Sequence, residues 1–523
     1  MTHMKVCLMS CLPVSRCFFL FILLFTASET FSQERMPLYS DILGDFERTI
    51  TTSSEEAQAY FNQGMRLRYS FAGVDAAESF REAQRLDPEC AMCYWGESWA
   101  LGPFLNDPGG RAGQADESNR KARRLAEDNA TPVERALIEA TTHRYSGEAV
   151  HSEEYAEAMR MVYENFPDDP DVGTLYGEAL FLLEPRRGSR DINDPAVRRI
   201  HRVFESVLED DIRHPGACHL YVHATESTSR PEKASACAEH LADSVPGVSH
   251  MNHMPAHTWS QTGRWGDAVR VSIQSVETDR KAEDDEGFAI YPTHNLHMLA
   301  IVASMDGQSA VAIQAGEDYA GVFGNNMYHV LTLLRFGRFD EILTVTDRPD
   351  YELGAAVWDF AQGYASLRQG DSDSARRYLE QVRESAASSG DGDKFRVHSV
   401  EDLLGILGNI LEGEILGDDG STEAAIKAFT RAASIEDGLM WDEPEPLPFA
   451  SRHWLGAALL EDGQYEEAER VYLQELTHHP DNGWSLLGLK QALEAQGKPV
   501  SEISEAFETS WTRADTSIRS SRF

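Results

Sequence analysis

The 523-residue sequence has no apolar run long enough to span a bilayer, for which about 20 residues are needed. Its longest, Cys17 to Ala27, lies behind Lys5 and Arg16 and ahead of the polar run SETFSQ. That order reads as a secretory signal over residues 1–32, cut after Ser32, with a retained anchor as the alternative. The reading makes the mature chain exported, periplasmic or extracellular, with no membrane insertion after cleavage. Basic residues are scarce as well: 47 Lys and Arg face 86 Asp and Glu, a formal net charge of −39. Such a balance repels nucleic acid and anionic membranes, so no nucleic-acid partner is expected. A solvated acidic surface, in which Arg outnumbers Lys, and a cationic partner both account for the charge. No phosphate-cradling loop, nucleophile elbow or dinucleotide fingerprint is present, and nothing argues for nucleotide chemistry.

Cysteine is sparse too. Outside the signal only Cys90, Cys93, Cys218 and Cys237 remain, an even number that suggests pairing in an oxidising compartment. CAMC at 90–93 is followed by Tyr94 and not by the histidine of a haem attachment site. It reads as a buried or disulfide-bonded structural pair, with a redox-active pair as the alternative. Cys218 and Cys237 fall on the two helices of one expected hairpin, where a disulfide would staple them; Cys218 as a thiolate ligand is the alternative.

What the chain has in quantity is a recurring grid of small and aromatic residues. Residues 61–88 carry Gly64, Ala76, Phe80, Ala83 and Pro88; the spacing recurs at Gly456, Ala468, Tyr472 and Pro480, and at Gly363, Ala375 and Leu379. Turn glycines punctuate helical patterns at Gly263, Gly307, Gly337, Gly370 and Gly463. These segments resemble tetratricopeptide repeats, two-helix hairpins whose apolar faces are buried only when neighbours stack. Further, DPECAMCYWG, HPGACHLYVHATE, HMPAH, YPTHNLH and DEPEPLPFASRHWLGAALLEDG are similar to a bacterial family of uncharacterised exported repeat proteins with a His-rich central segment. The resemblance implies an all-α, right-handed superhelical solenoid over residues 33–523, with His-rich central repeats at 214–300 and C-terminal repeats at 423–510. It carries no activity over. About ten antiparallel hairpins and no sheet are expected, at roughly 34 to 45 residues per repeat. The Pro-rich DEPEPLPF at 442–449 cannot be helical throughout and should lie across one end of the groove or the surface.

The stretch SHMNHMPAHTW places three histidines within eight residues. Each repeat is counted from one, with the turn glycine at fifteen and the close-packing alanine at twenty. His250, His253 and His257 then take positions two, five and nine of their repeat. His219 and His223 take five and nine of the preceding repeat, with Glu226 at twelve, and His294 and His297 take two and five of the following one. Spacings of three and four residues share a helix face, and neighbouring helices pack about 8 to 10 Å apart. In the repeats this chain resembles, those first-helix positions line the concave groove, so the seven imidazoles are predicted to converge there as a transition-metal site, suited to zinc, copper or iron. Seven exceed the needs of one four-coordinate ion, so either two ions bind or some histidines support the others. Glu226 is a candidate ligand or general base. Neither HxxxH pair is HExxH, which removes the zinc-peptidase arrangement. Pro255 inside the helix threatens the geometry, because the helix would kink or begin there.

Two functional readings follow. One is a binding scaffold holding a protein or peptide in the groove, with or without metal; the other is a metal-dependent oxidoreductase or hydrolase.

Overall fold

A hairpin of the expected type opens the array. Glu55–Tyr69 is capped by Ser54, whose hydroxyl accepts from the Ala57 amide at 3.1 Å, and Gly73–Leu86 runs back along it. The two helices approach closely because Gly64 has no side chain: a Cβ there would stand 2.7 Å from the Phe80 ring. The same device recurs in the hairpin of Arg452–Glu461 and Tyr465–His478, where a Cβ on Gly456 would meet the Tyr472 ring at 2.4 Å. All five glycines read as turn positions have positive φ, from 66° to 81°, the region that favours glycine.

The computed structural model describes residues 35–523 apart from 186, 187 and 391. The proposed signal lies outside the described residues. Among those described there are 24 α-helices, which pair in sequence order into twelve hairpins, so the protein is an all-α helical solenoid. Twelve exceeds the ten expected because several repeats in the first half lack a turn glycine and start instead with a proline in the first helical turn. Pro132, Pro170 and Pro215 do this, which places their missing N–H where no intrahelical bond is required; Pro195 opens the second helix of its hairpin in the same way. The expectation of no sheet also needs correction. Two short antiparallel ribbons, Tyr145–Ser146 with Ala149–Val150 and Lys394–Phe395 with His398–Ser399, shape inter-helix loops. No described helix is long and apolar enough to cross a membrane.

Each helix packs mainly on its sequence neighbours, as stacking requires, yet distant segments also meet. Pro215–Thr225 lies against the first helix, where a Cβ on Gly216 would stand 2.2 Å from the Tyr69 ring. Buried ions lock this contact region: Arg48 Nη1 reaches Asp171 at 2.7 Å and Asp169 at 2.9 Å, and Arg68 pairs with Glu178 at 3.0 Å. At the other end, Trp265 Nε1 donates to the Pro480 carbonyl at 2.8 Å, Trp484 Nε1 to Ser304 O at 2.9 Å, and Arg513 pairs with Asp306 at 2.6 Å.

Two consequences can be measured. Alanine usually improves a helix interior by up to about 1 kcal/mol over glycine, but at Gly64 the Phe80 ring leaves no room. Gly64→Ala should therefore destabilise by about 1–3 kcal/mol, and adding Phe80→Leu should recover part of the loss in denaturant titrations. The second concerns Glu436, which accepts from the Ser451 amide at 2.9 Å. Burial, and then the Glu475 carboxylate, push its carboxyl up to about 8. The folded chain thus holds a proton that the unfolded chain releases near pH 4.3, so stability is lost as pH rises from there through about 8. Glu436→Gln should flatten that loss between pH 6 and pH 8.5; parallel stability curves for the two proteins would contradict it.

Candidate metal centre

Three successive hairpins supply the centre through their first helices: Pro215–Thr225, Ser249–Gln261 and Pro292–Met305. The first is fixed at its start by His214, whose Nδ1 accepts from the Ala217 amide at 3.1 Å. The second does not begin at Pro255. It starts at Ser249 and runs through the proline, so His250 and His253 sit on helix and not on a turn. Ser249 anchors that start: its amide donates to Phe288 O at 3.1 Å, and its hydroxyl accepts from the Ile290 amide at 2.8 Å.

Six of the seven histidines come together, in two sets of three. His219, His223 and His250 form one; His253, His257 and His294 form the other; within each set one ring nitrogen per residue lies within 4.8 Å of the others. The Nε2 atoms of His219 and His250 are 3.0 Å apart, and those of His253 and His257 are 3.2 Å apart. The sets adjoin, with ring centroids 5.2 Å apart for His223 and His257 and also for His250 and His253. All but His294 are at most 1% exposed.

Ring orientation is fixed from outside. His219 Nδ1 is 2.6 Å from the Tyr69 carbonyl, which can only accept, so Nδ1 carries the proton and Nε2 the lone pair of the neutral ring. Glu226 accepts from the Nδ1 atoms of both His223, at 3.1 Å, and His257. This pattern of an imidazole donating its outer N–H while its inner nitrogen stays available is how metal-ligating histidines are held. Burial first, and then neighbouring imidazoles, hold His219, His250 and His253 well below the usual histidine range, hence neutral. Burial favours a neutral Glu226, but the paired His223 and His257 outweigh it and hold the carboxyl at about 2. The centre therefore sets neutral imidazoles at His219, His250 and His253 beside the Glu226 carboxylate, and a metal ion binds imidazole through a neutral ring.

His297 stands apart from the other six. Its Nε2 donates to the Glu445 carbonyl at 2.8 Å and its ring lies 4.2 Å from Tyr328. That contact anchors a strap, residues 441–449, across the centre. Tyr328 donates to Pro446 O at 3.1 Å, and Arg396, carried on the loop of the second ribbon, grips the Asp442 carboxylate. The strap brings in Glu443, which the repeat grid could not reveal: its Oε1 is 3.0 Å from His294 Nε2 and 3.4 Å from His257 Nε2. Burial alone would raise the Glu443 carboxyl, but His257 and His294 hold it well below the carboxylate range. Phe71 was equally hidden. Its ring packs 4.2 Å from His219 and 5.3 Å from His250, and it sits at φ 63°, in the inter-helix turn where other repeats carry glycine. Tyr291, at φ 60°, meets His250 edge-on at 5.3 Å. Both aromatics near the imidazoles thus occupy backbone that costs of order 1 kcal/mol or more. Met251, Met254 and Met298 are buried, and Tyr221 donates to Glu205 and not toward the centre.

The cysteines are joined as Cys90–Cys93 and Cys218–Cys237. The second bridge, with Cα atoms 4.9 Å apart, ties the helix bearing His219 to its hairpin partner.

No known family profile matches the chain, and no curated protein matches it. Among solved structures it is similar to the Cut9–Hcn1 assembly of the APC/C (14% identity, TM-score 0.30, covering 87% of this chain and 76% of that one). It is also similar to a human IFIT1 dimer with m7Gppp-AAAA (13%, 0.30, 89% and 91%) and to Naa15/Naa10 bound to HypK-THB (11%, 0.23, 87% and 70%). Likenesses at this level place no residue of the centre.

The Cys218–Cys237 bridge closes a loop with a sequence separation of 19. Its reduction should lower stability by about 2–4 kcal/mol, and both thiols should resist labelling in the native, unreduced protein. Labelling of both without reductant would refute the pairing.

Proposed function

We propose that the protein is an exported helical-repeat scaffold whose central histidines hold a transition metal, with zinc, copper or iron the candidates. The observation that carries this reading is the locking of imidazoles from outside. Glu226 and the Tyr69 carbonyl take the outer N–H groups of His223, His257 and His219 and leave the inner nitrogens facing one another. Imidazoles lining a peptide groove would be exposed; these are buried under a strap, so a metal-free peptide site at this place is the weaker reading.

A second reading, a metal-dependent oxidoreductase or hydrolase with Glu226 as candidate base, is favoured by one feature. A small void beside Glu226, His257 and Glu443 shares Trp441, Asp442, Glu445 and His479 with a larger cavity of about 250 Å³. A small molecule reaching the ion by that route would find an open coordination position.

The test is the metal content of untagged, purified protein. His223→Ala and His257→Ala should each weaken the tightest binding by well over about tenfold, because even outer partners of a ligand cost about 10 to 100-fold. His240→Ala and His329→Ala, outside the centre, should change little. Equal affinities across these proteins would refute the reading.

A further inference from the structure

The two imidazole sets are not merely close; they are the same motif used twice. In repeat coordinates, His219 and His223 are positions five and nine of one repeat, and His250 is position two of the next. His253 and His257 are again positions five and nine, and His294 is again position two of the next. Stacking of one hairpin on another therefore carries the first set onto the second. A third copy would need His297 and Ile301 at positions five and nine; with isoleucine there, and His297 turned to the strap, the series stops at two.

On the reading that the centre binds metal, we infer that it is dinuclear. One ion is held by His219, His223 and His250, and a second by His253, His257 and His294, with Glu226 between them orienting one imidazole of each set. A tetrahedral ion with bonds of about 2.0–2.1 Å separates its ligand nitrogens by about 3.3 Å, close to the 3.0 Å and 3.2 Å found within the two sets. Three ligands per ion leave a fourth position open on each. Charge fits as well. Glu226 and Glu443 are carboxylates touching these rings, and two carboxylates would balance two ions of net single charge, either copper(I) or zinc bearing a hydroxide.

The competing arrangement is one ion at His223, Glu226 and His257, whose ligand atoms also lie within 4.8 Å of one another. It would use the Nδ1 atoms that now donate to Glu226 and would leave the inner nitrogens of His219, His250 and His253 without a role.

Stoichiometry separates the two. The full-length protein is stripped, reloaded separately with zinc(II) and with copper(I), passed through a desalting column, and assayed for bound metal by elemental analysis, with circular dichroism confirming the fold. Two ions per chain are expected for the wild type and for His297→Ala, one for His250→Ala and one for His294→Ala, and none retained by the double variant. His250→Gln and His294→Gln, closer in volume, repeat the single-site arms should an alanine variant unfold. One ion per chain, lost in Glu226→Gln but kept in both single-site variants, overturns the dinuclear centre and leaves the metal reading standing. No ion in the wild type with either metal overturns both.

Discussion

A helix hairpin has two faces and can bury only one by itself. Every other feature depends on the stacking this forces, because stacking fixes how far a residue on one first helix is displaced from its counterpart on the next. Gly64 against Phe80 and Gly456 against Tyr472 set the spacing within hairpins. The first helices then present equivalent positions in a row. A histidine at a chosen position of successive repeats thereby acquires a neighbour at a set distance, with no loop to fold and no long-range contact to specify. In this chain the row carries imidazoles over three successive hairpins.

Electrostatics decides what such a row can do. Imidazoles packed with ring centroids 4.7–5.9 Å apart repel when protonated, and burial opposes the charge further. Two carboxylates temper this from opposite directions. Glu226 comes from the end of one of the three helices and faces outer ring nitrogens; Glu443 comes from a strap more than two hundred residues later and faces inner ones. Neither is spared from burial, so each relies on the imidazoles around it as much as they rely on it.

How much of this was legible in the sequence follows from what each feature depends on. The helical class and the face shared by the histidines are local, periodic properties, and the turn glycines supplied the register for both. The number of hairpins was undercounted because prolines at helix starts, such as Pro132 and Pro170, mark repeats that have no turn glycine. Pro255 looked like a break but lies within a helix held at Ser249 by hydrogen bonds to residues some forty positions away, which no local pattern contains. Glu443 and the turning of His297 belong to the same class of feature, since both arise where residues 441–449 fold back over the centre. DEPEPLPF was recognisable as a non-helical segment lying across something; what it covered depended on the path of the whole array.

That strap also sets a dependence on distant hairpins. His219 through His294 are in place once the central hairpins have stacked, but the lid over them is anchored by Arg396, Asp442 and Glu445 and so requires hairpins from the last quarter of the chain. Without those hairpins the imidazole row would be an open trough; with them the strap lies across it. For an ion held beneath it, exchange would then depend on the strap's anchors, Arg396 on Asp442 and His297 on Glu445, as well as on the ligands themselves.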